Sequence, residues 1–272
     1  MRPDGRLLSI LVLGLLAASA IAAPQLAPYD PLIASGAPLQ SPGPRHLLGT
    51  KDIGQDVWSQ WLWGGRASLL VGVVVALLST CLSWSIGIAA GVWRRGEGVL
   101  MAVTDLLLAL PVVPLFLLVV ALVGPSQVHL MLVLGLLSWP AFARVVRAQV
   151  IATNGQPYID AARALGGTSL HIARYHVFPA TLELLPAKLV LTVRFAMVAE
   201  ATLAFLGLGD PTVRSWGTML GWAFSDPLAF VNGSWTWRVL PPALASSPPY
   251  SERSCSQRHS KQHRLPPRQR DL

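Results

Sequence analysis

The chain has 272 residues, of which 53% are hydrophobic and 12% charged, and its mean hydropathy is +0.51. Soluble domains carry about a quarter charged residues, so this composition excludes one large water-solvated core and points to a lipid surrounding. The net charge of +8 does not mark a nucleic-acid binder, because half of the excess sits in the polar residues 243–272.

In chain order, hydropathy predicts five helical spans, each near the roughly 20 apolar residues that cross a bilayer. They are Leu7–Ala23, Ala67–Trp93, Val99–Val123, Val128–Ala143 and about Leu189–Leu208. The first follows Arg2 and Arg6 and ends near Ala20-Ile21-Ala22, so it reads as an uncleaved anchor or as a signal peptide. Residues 24–66 form an external segment in either case. The two cysteines, Cys81 and Cys255, give neither a disulfide framework nor a metal-ligand spacing. Pro111, Pro114 and Pro140 predict kinks, which membrane packing tolerates.

Positive charge sets the direction. With the N-terminus in the cytoplasm, the inner segments 1–6, 94–98 and 144–176 carry about threefold more Lys and Arg per residue than the outer ones. Residues 144–176 are then a cytoplasmic loop. Within it, Pro157 suits the first position of a helix, Ala161, Ala162, Ala164 and Leu165 favour its continuation, and Gly166-Gly167 stop it. Thr168 or Ser169 caps a second short helix. Asp160 and Arg163 hold this helix–turn–helix in water, and the small alanines let a partner approach closely. Its place between two spans sets aside a DNA-reading role. His171 and His176 read as interfacial polar residues rather than metal ligands.

The run Asp160-Ala161-Ala162, then Gly166, Ile172, His176 and Pro179, resembles the "EAA" loop of ABC importer permeases. Asp160 stands where the Glu that names the motif is usual. Further blocks are similar to the dipeptide/oligopeptide/nickel branch of that family. They are Leu47–Gly72, Asp105–Pro111, Ser138-Trp139-Pro140 with Ala143-Arg144, EATLAFLGLG from Glu200, and Ser215-Trp216-Gly217 with Met219-Leu220. Lys51, Gln55 and Gln60 depart from the Asp and Arg residues common there, which leaves the charge role of the outer segment open. The resemblance implies an all-α membrane fold of the type I importer kind, with six spans in the family against five here. Residues 67–245 would be the permease domain, and 157–178 a coupling helix seated on an ATPase. It also implies a bacterial inner-membrane location for a multi-pass chain. The implied partners are ABC ATPase subunits, a second homologous permease, an external solute-binding protein and membrane lipid, with no nucleic acid.

No phosphate-binding GxxxxGK[ST] loop, GxSxG or HExxH run is present, so the sequence offers no catalytic residues, cofactor or metal site. The competing reading is a membrane enzyme or receptor, which these absences and the loop weigh against. Arg194 and Glu200 fall inside the fifth span, where ionisable groups are functional candidates by default. Their alternative is to face another subunit or reach the interface. The solute is expected to be a peptide, nickel or a similar small molecule.

The last segment changes character. Ser246–Leu272 has only Tyr250, Cys255, Leu265 and Leu272 as apolar residues and cannot cross a bilayer. It reads as a frameshift near codon 245, which would leave an inactive product, or as a disordered basic tail.

Overall fold

A computed structural model of the chain describes residues 14–15, 18–93, 95–210, 212–226 and 229–246. Among them, helices α1 (Ala23–Leu26), α2 (Val57–Val92), α3 (Glu97–Ala109), α4 (Val112–Val123), α5 (Gln127–Leu137) and α6 (Pro140–Asn154) come first. Then follow α7 (Pro157–Ala164), α8 (Ser169–Ile172), a π-helical turn Ala173–Val177, α9 (Phe178–Thr181), a 3-10 turn Leu182–Leu184 and α10 (Leu185–Phe205). The last are α11 (Trp216–Ser225), α12 (Trp235–Arg238) and α13 (Leu240–Ser246). The only strand-like pairings among the described residues are the bridges Ala34 with Gln55 and Thr50 with Asp56.

The 36-residue α2 is the axis of the bundle. At 1.5 Å per residue it is roughly 54 Å long, well beyond a hydrocarbon core of about 30 Å. Asp56 starts it by accepting hydrogen bonds from the Ser59 N–H and Ser59 Oγ, both at 2.7 Å. That cap explains why the helix begins ten residues before the predicted Ala67: Val57–Arg66 is already helical. Small residues on α2 let other helices close in, as in membrane packing generally. Gly65 lies against Trp216, Gly72 against Val193 and Met197, and Gly87 and Gly91 against Val146 and Val150.

The predicted third span is two helices. Leu110 and Pro111 separate α3 from α4, and Glu97–Ala109 meets Pro114–Val123 at 82°. Proline cannot continue an i→i−4 ladder, and it drives the preceding residue out of helical geometry. The predicted fourth span is longer than hydropathy indicates, since α5 and α6 together cover Gln127–Asn154. The loop expected from Arg144 is therefore helical through Asn154. Val57–Val92 and Gln127–Asn154 are each long and apolar enough to cross a membrane, and the bent α3–α4 pair qualifies if it counts as one span. The fifth predicted span corresponds to α10, whose 21 residues carry Lys188, Arg194 and Glu200. Most of Leu7–Ala23 and all of residues 247–272 lie outside the described residues.

Three buried clusters run along α2. Val57, Met197, Trp216, Met219 and Ala245 fill one end. Val71, Val75, Phe116, Leu134, Ala196 and Leu203 fill the middle. Trp84, Val146, Val150, Ile159, Ile172 and Val177 fill the other end. The wide exposed apolar surface, with Leu70, Leu106, Leu122, Val128, Leu132, Leu191 and Phe195 among its members, is what a lipid-facing bundle requires.

Candidate coupling surface and intramembrane polar groups

The hairpin 157–178 is built by local chemistry. Pro157 opens α7, where its missing N–H leaves no bond unmade. Gly166, at φ +86°, ends it, with the Gly166 N–H donating to the Arg163 carbonyl and the Gly167 N–H to the Ala162 carbonyl, each at 3.0 Å. These two bonds are the Schellman pattern, which a residue with a Cβ adopts only with strain. The Thr168 side chain then caps α8 by accepting from the His171 N–H at 3.2 Å.

The predicted residues divide by face. Asp160, Ala161 and Gly166 are exposed, and Asp160 accepts from Arg163 Nη1 at 3.0 Å. Ala162 and His176 are half-buried, and Pro179 is exposed on α9. Ile172 points inward, packed with Ile159, Trp84, Val146 and Val150. It anchors the hairpin to α2 and α6 and leaves the outer face free. That face is apolar as well as polar: Leu165 is 90% exposed and Leu170 79% exposed, beside Tyr158 and Tyr175. The His171 ring lies 4.7 Å from Tyr175 and 6.2 Å from His176, a ring cluster and not a ligand set. Among the described residues no group of three or more metal-ligating side chains occurs.

The approach to this hairpin is braced by charge. Arg144 pairs with Asp105, and Arg147 with Glu97, tying α6 to α3. Asp105 keeps this partner while staying exposed to solvent.

Arg194 and Glu200 sit on α10, away from the hairpin. Six residues apart, they point roughly 120° apart around the helix and do not share a face. Glu200 is buried and accepts from Ser68 Oγ at 3.0 Å, while the same Oγ accepts from the Trp216 N–H at 3.3 Å. The carboxylate therefore helps to hold the start of α11 against α2 and α10. It also lines a cavity of ≈ 20 Å³ with Gln127, Ser215 and Thr218, space for about one water.

Hydropathy starts this span at Leu189 and so passes over Lys188. Its side chain is buried, and Nζ donates to Ser79 Oγ at 2.8 Å and to the Ser138 carbonyl at 3.1 Å. Nζ also lies 5.1 Å from the Phe142 ring centroid. It thus joins α10, α2 and the α5–α6 junction, where Pro140 leaves carbonyls without helical donors. A lone lysine bordering an apolar run is the signal that would have found it.

Comparison with known proteins agrees with this architecture. Residues 83–247 match the family described as the binding-protein-dependent transport system inner membrane component. The chain is 35% identical over 253 residues to the dipeptide transport system permease protein DppC of Escherichia coli strain K12, covering 90% of this chain and 83% of that one. It is 32% identical over 249 residues to the di/tripeptide transport system permease protein DppC of Pseudomonas aeruginosa strain UCBPP-PA14, with 88% and 80% covered. A provisionally named peptide transport system permease protein of Brucella suis biovar 1 is 37% identical over 207 residues, with 76% and 68% covered. An all-helical bundle with apolar spans, a match over more than half the chain and relatives above 30% identity agree: the chain belongs to the binding-protein-dependent transport system inner membrane component family.

Proposed function

We propose that this chain is the permease subunit of an ABC importer for peptides, and that it couples to a separate ATPase through residues 157–178. The carrying observation is the hairpin itself. A Schellman-closed turn presents Asp160, Ala161, Leu165 and Leu170 outward, while Ile159 and Ile172 fix it to α2 and α6. A large exposed apolar side chain on a rigid mount, ringed by polar groups, fits a protein partner better than water. Motion of a partner on this face would reach the bundle through α6, which is continuous from Pro140 to Asn154. The relatives' names, all of peptide, dipeptide or di/tripeptide permeases, favour peptides over nickel as the solute.

In this reading the chain forms half of a pathway, a second homologous permease forms the rest, and an external solute-binding protein delivers cargo. ATP is hydrolysed elsewhere, and this chain catalyses no reaction. The N-terminus and the hairpin lie in the cytoplasm, which follows from the positive-inside bias. A photo-crosslinking amino acid at Leu165, introduced in cells carrying the whole system, tests the central contact. Crosslinks to an ATP-binding subunit support the reading. Crosslinks only to lipid, in membranes that retain ATP-dependent uptake, would overturn it.

A further inference from the structure

The opposite end of the bundle carries a cleft of ≈ 590 Å³, lined in part by Lys51, Asp52, Gln55, Arg214, Trp222 and Asp226. Its volume lies within the range of sites for small molecules. Lys51 precedes α2 by six positions, whereas the hairpin packs on Trp84 far along the same helix, so the two features are separated by most of its length.

The charge of the cleft is unbalanced. Asp52 and Asp226, the carboxylates on its wall, both face Arg238, at 3.9 and 2.5 Å. Lys51 and Arg214 have no ion pair and donate no side-chain hydrogen bond to any described residue. Both instead lie over one aromatic ring: Lys51 Nζ is 4.1 Å and Arg214 Cζ 4.2 Å from the Trp222 centroid. Lys51 is only 8% exposed, and Arg214 Nε is buried without a partner. An aromatic face stabilises a cation by about 0.5–2 kcal/mol, less than a buried charge loses in leaving water. Both cations therefore line one concave surface and stack on the same ring, with no side-chain donor of either used among the described residues. Burial also lowers the Lys51 pKa to about 8, with Asp52 opposing the fall and Arg214 and Arg238 adding to it.

We propose that this cleft binds the carboxylate of a small organic acid, with Lys51 and Arg214 as its donors. A guanidinium fork matches a carboxylate in two parallel hydrogen bonds, and an ammonium adds a third donor direction. A phosphate dianion fits less well, because Asp52 and Asp226 stand on the same wall. Gln55, on the cleft wall, and Gln60, which shares a small pocket with Lys51, are neutral and bring no carboxylate to it. Gln60 Nε2 donates to Gln55 Oε1 at 2.6 Å and to the Pro31 carbonyl at 2.9 Å, while Gln60 Oε1 is buried without a partner among the described residues. The two amides leave Lys51 without competition for its charge.

The test uses the full chain in lipid nanodiscs, with N-acetylalanine and its neutral amide as probes, titrated by ligand-observed NMR. The acid is expected to bind at least tenfold more tightly than the amide. Lys51→Gln and Arg214→Gln should each weaken the acid about tenfold, and Lys51→Arg should restore most of that loss. Equal binding of acid and amide to the unaltered chain overturns the proposal without any variant. So does unchanged acid binding in the double Lys51→Gln, Arg214→Gln chain, provided its melting temperature matches the parent. Preference for phosphate over the acid would also overturn it, since the wall carboxylates exclude that outcome.

Discussion

Replacing Gly87 with alanine probes the seam between α2 and α6, on which the hairpin is mounted. A Cβ at Gly87 would lie 2.7 Å from the Ala143 carbonyl oxygen and 2.7 Å from Val146 Cβ. One neighbour is backbone and the other is the branch point of a stiff side chain, so neither can rotate away. Reaching ordinary contact at 3.4 Å means separating the helices by roughly 0.7 Å. The same movement stretches the bond that Ser83 Oγ donates to the Trp139 carbonyl, now 3.0 Å, beyond useful range. Overpacking of this kind costs about 1–3 kcal/mol, and the lost hydrogen bond about 1 kcal/mol. Alanine's helix preference over glycine returns about 1 kcal/mol. The net is about 1–3 kcal/mol of destabilisation, or roughly 2–12 °C in melting temperature by soluble-domain scaling. The assay is thermal unfolding of the detergent-purified chain, with Gly135→Ala as comparison. A Cβ at Gly135 meets the Leu78 side chain, with Cδ2 at 2.5 Å able to rotate and Cγ and Cβ at 3.1 and 3.2 Å, so that change should be milder. A Gly87→Ala chain that melts at or above the parent would show that the α2–α6 seam is not close-packed at this position.

Lys188→Met removes the cation while keeping its length. It leaves Ser79 Oγ and the Ser138 carbonyl without their donor, so a loss of about 1–3 kcal/mol in thermal unfolding is expected, and a stabilised variant would show that the lysine is not holding the α5–α6 junction. Lys51, with its folded pKa near 8 against 10.5 when free, binds fewer protons folded than unfolded between those values. Stability should therefore rise from pH 8 to 10 by more in the parent than in Lys51→Met, with Asp52, Arg214 and Arg238 facing the group in both; a difference that stays flat contradicts the assignment. For residues 246–272, we propose a frameshift near codon 245. Resequencing should then show that a frame one base away encodes roughly 20 apolar residues, and the idea fails if neither alternative frame does.

What was legible in the sequence was mostly what local chemistry decides. Pro157, Gly166-Gly167 and Thr168 each set their own backbone, so the hairpin could be read residue by residue. Span ends could not, because a hydropathy window reports apolar composition and not where a helix is capped. Asp56 extends α2 backwards through Trp58, Gln60 and Arg66, and α6 runs on past Ala143 through Arg144 and Arg147, whose charges find partners on α3. The break at Leu110–Pro111 was visible as proline, but its angle depends on what α4 packs against. The polar contacts were the least legible. Lys188 meets Ser79 and Ser138 across 109 and 50 positions of chain, and Lys51 meets Trp222 only once α11 is folded against α2. Glu200 stood out as an ionisable group in an apolar run, but its partner Ser68 did not.

On the proposed function, this chain carries peptides inward when driven from its 157–178 face. Uptake of radiolabelled dialanine in the source organism, with this gene deleted and then restored, tests that most directly. Deletion should abolish ATP-dependent uptake through this system, and the parent gene should restore it. An Ala162→Arg gene, its product present in the membrane at parental level, should not, because a long side chain leaves no room for a close helix contact. Uptake that is indifferent to the deletion, or fully restored by Ala162→Arg, would contradict the proposed function.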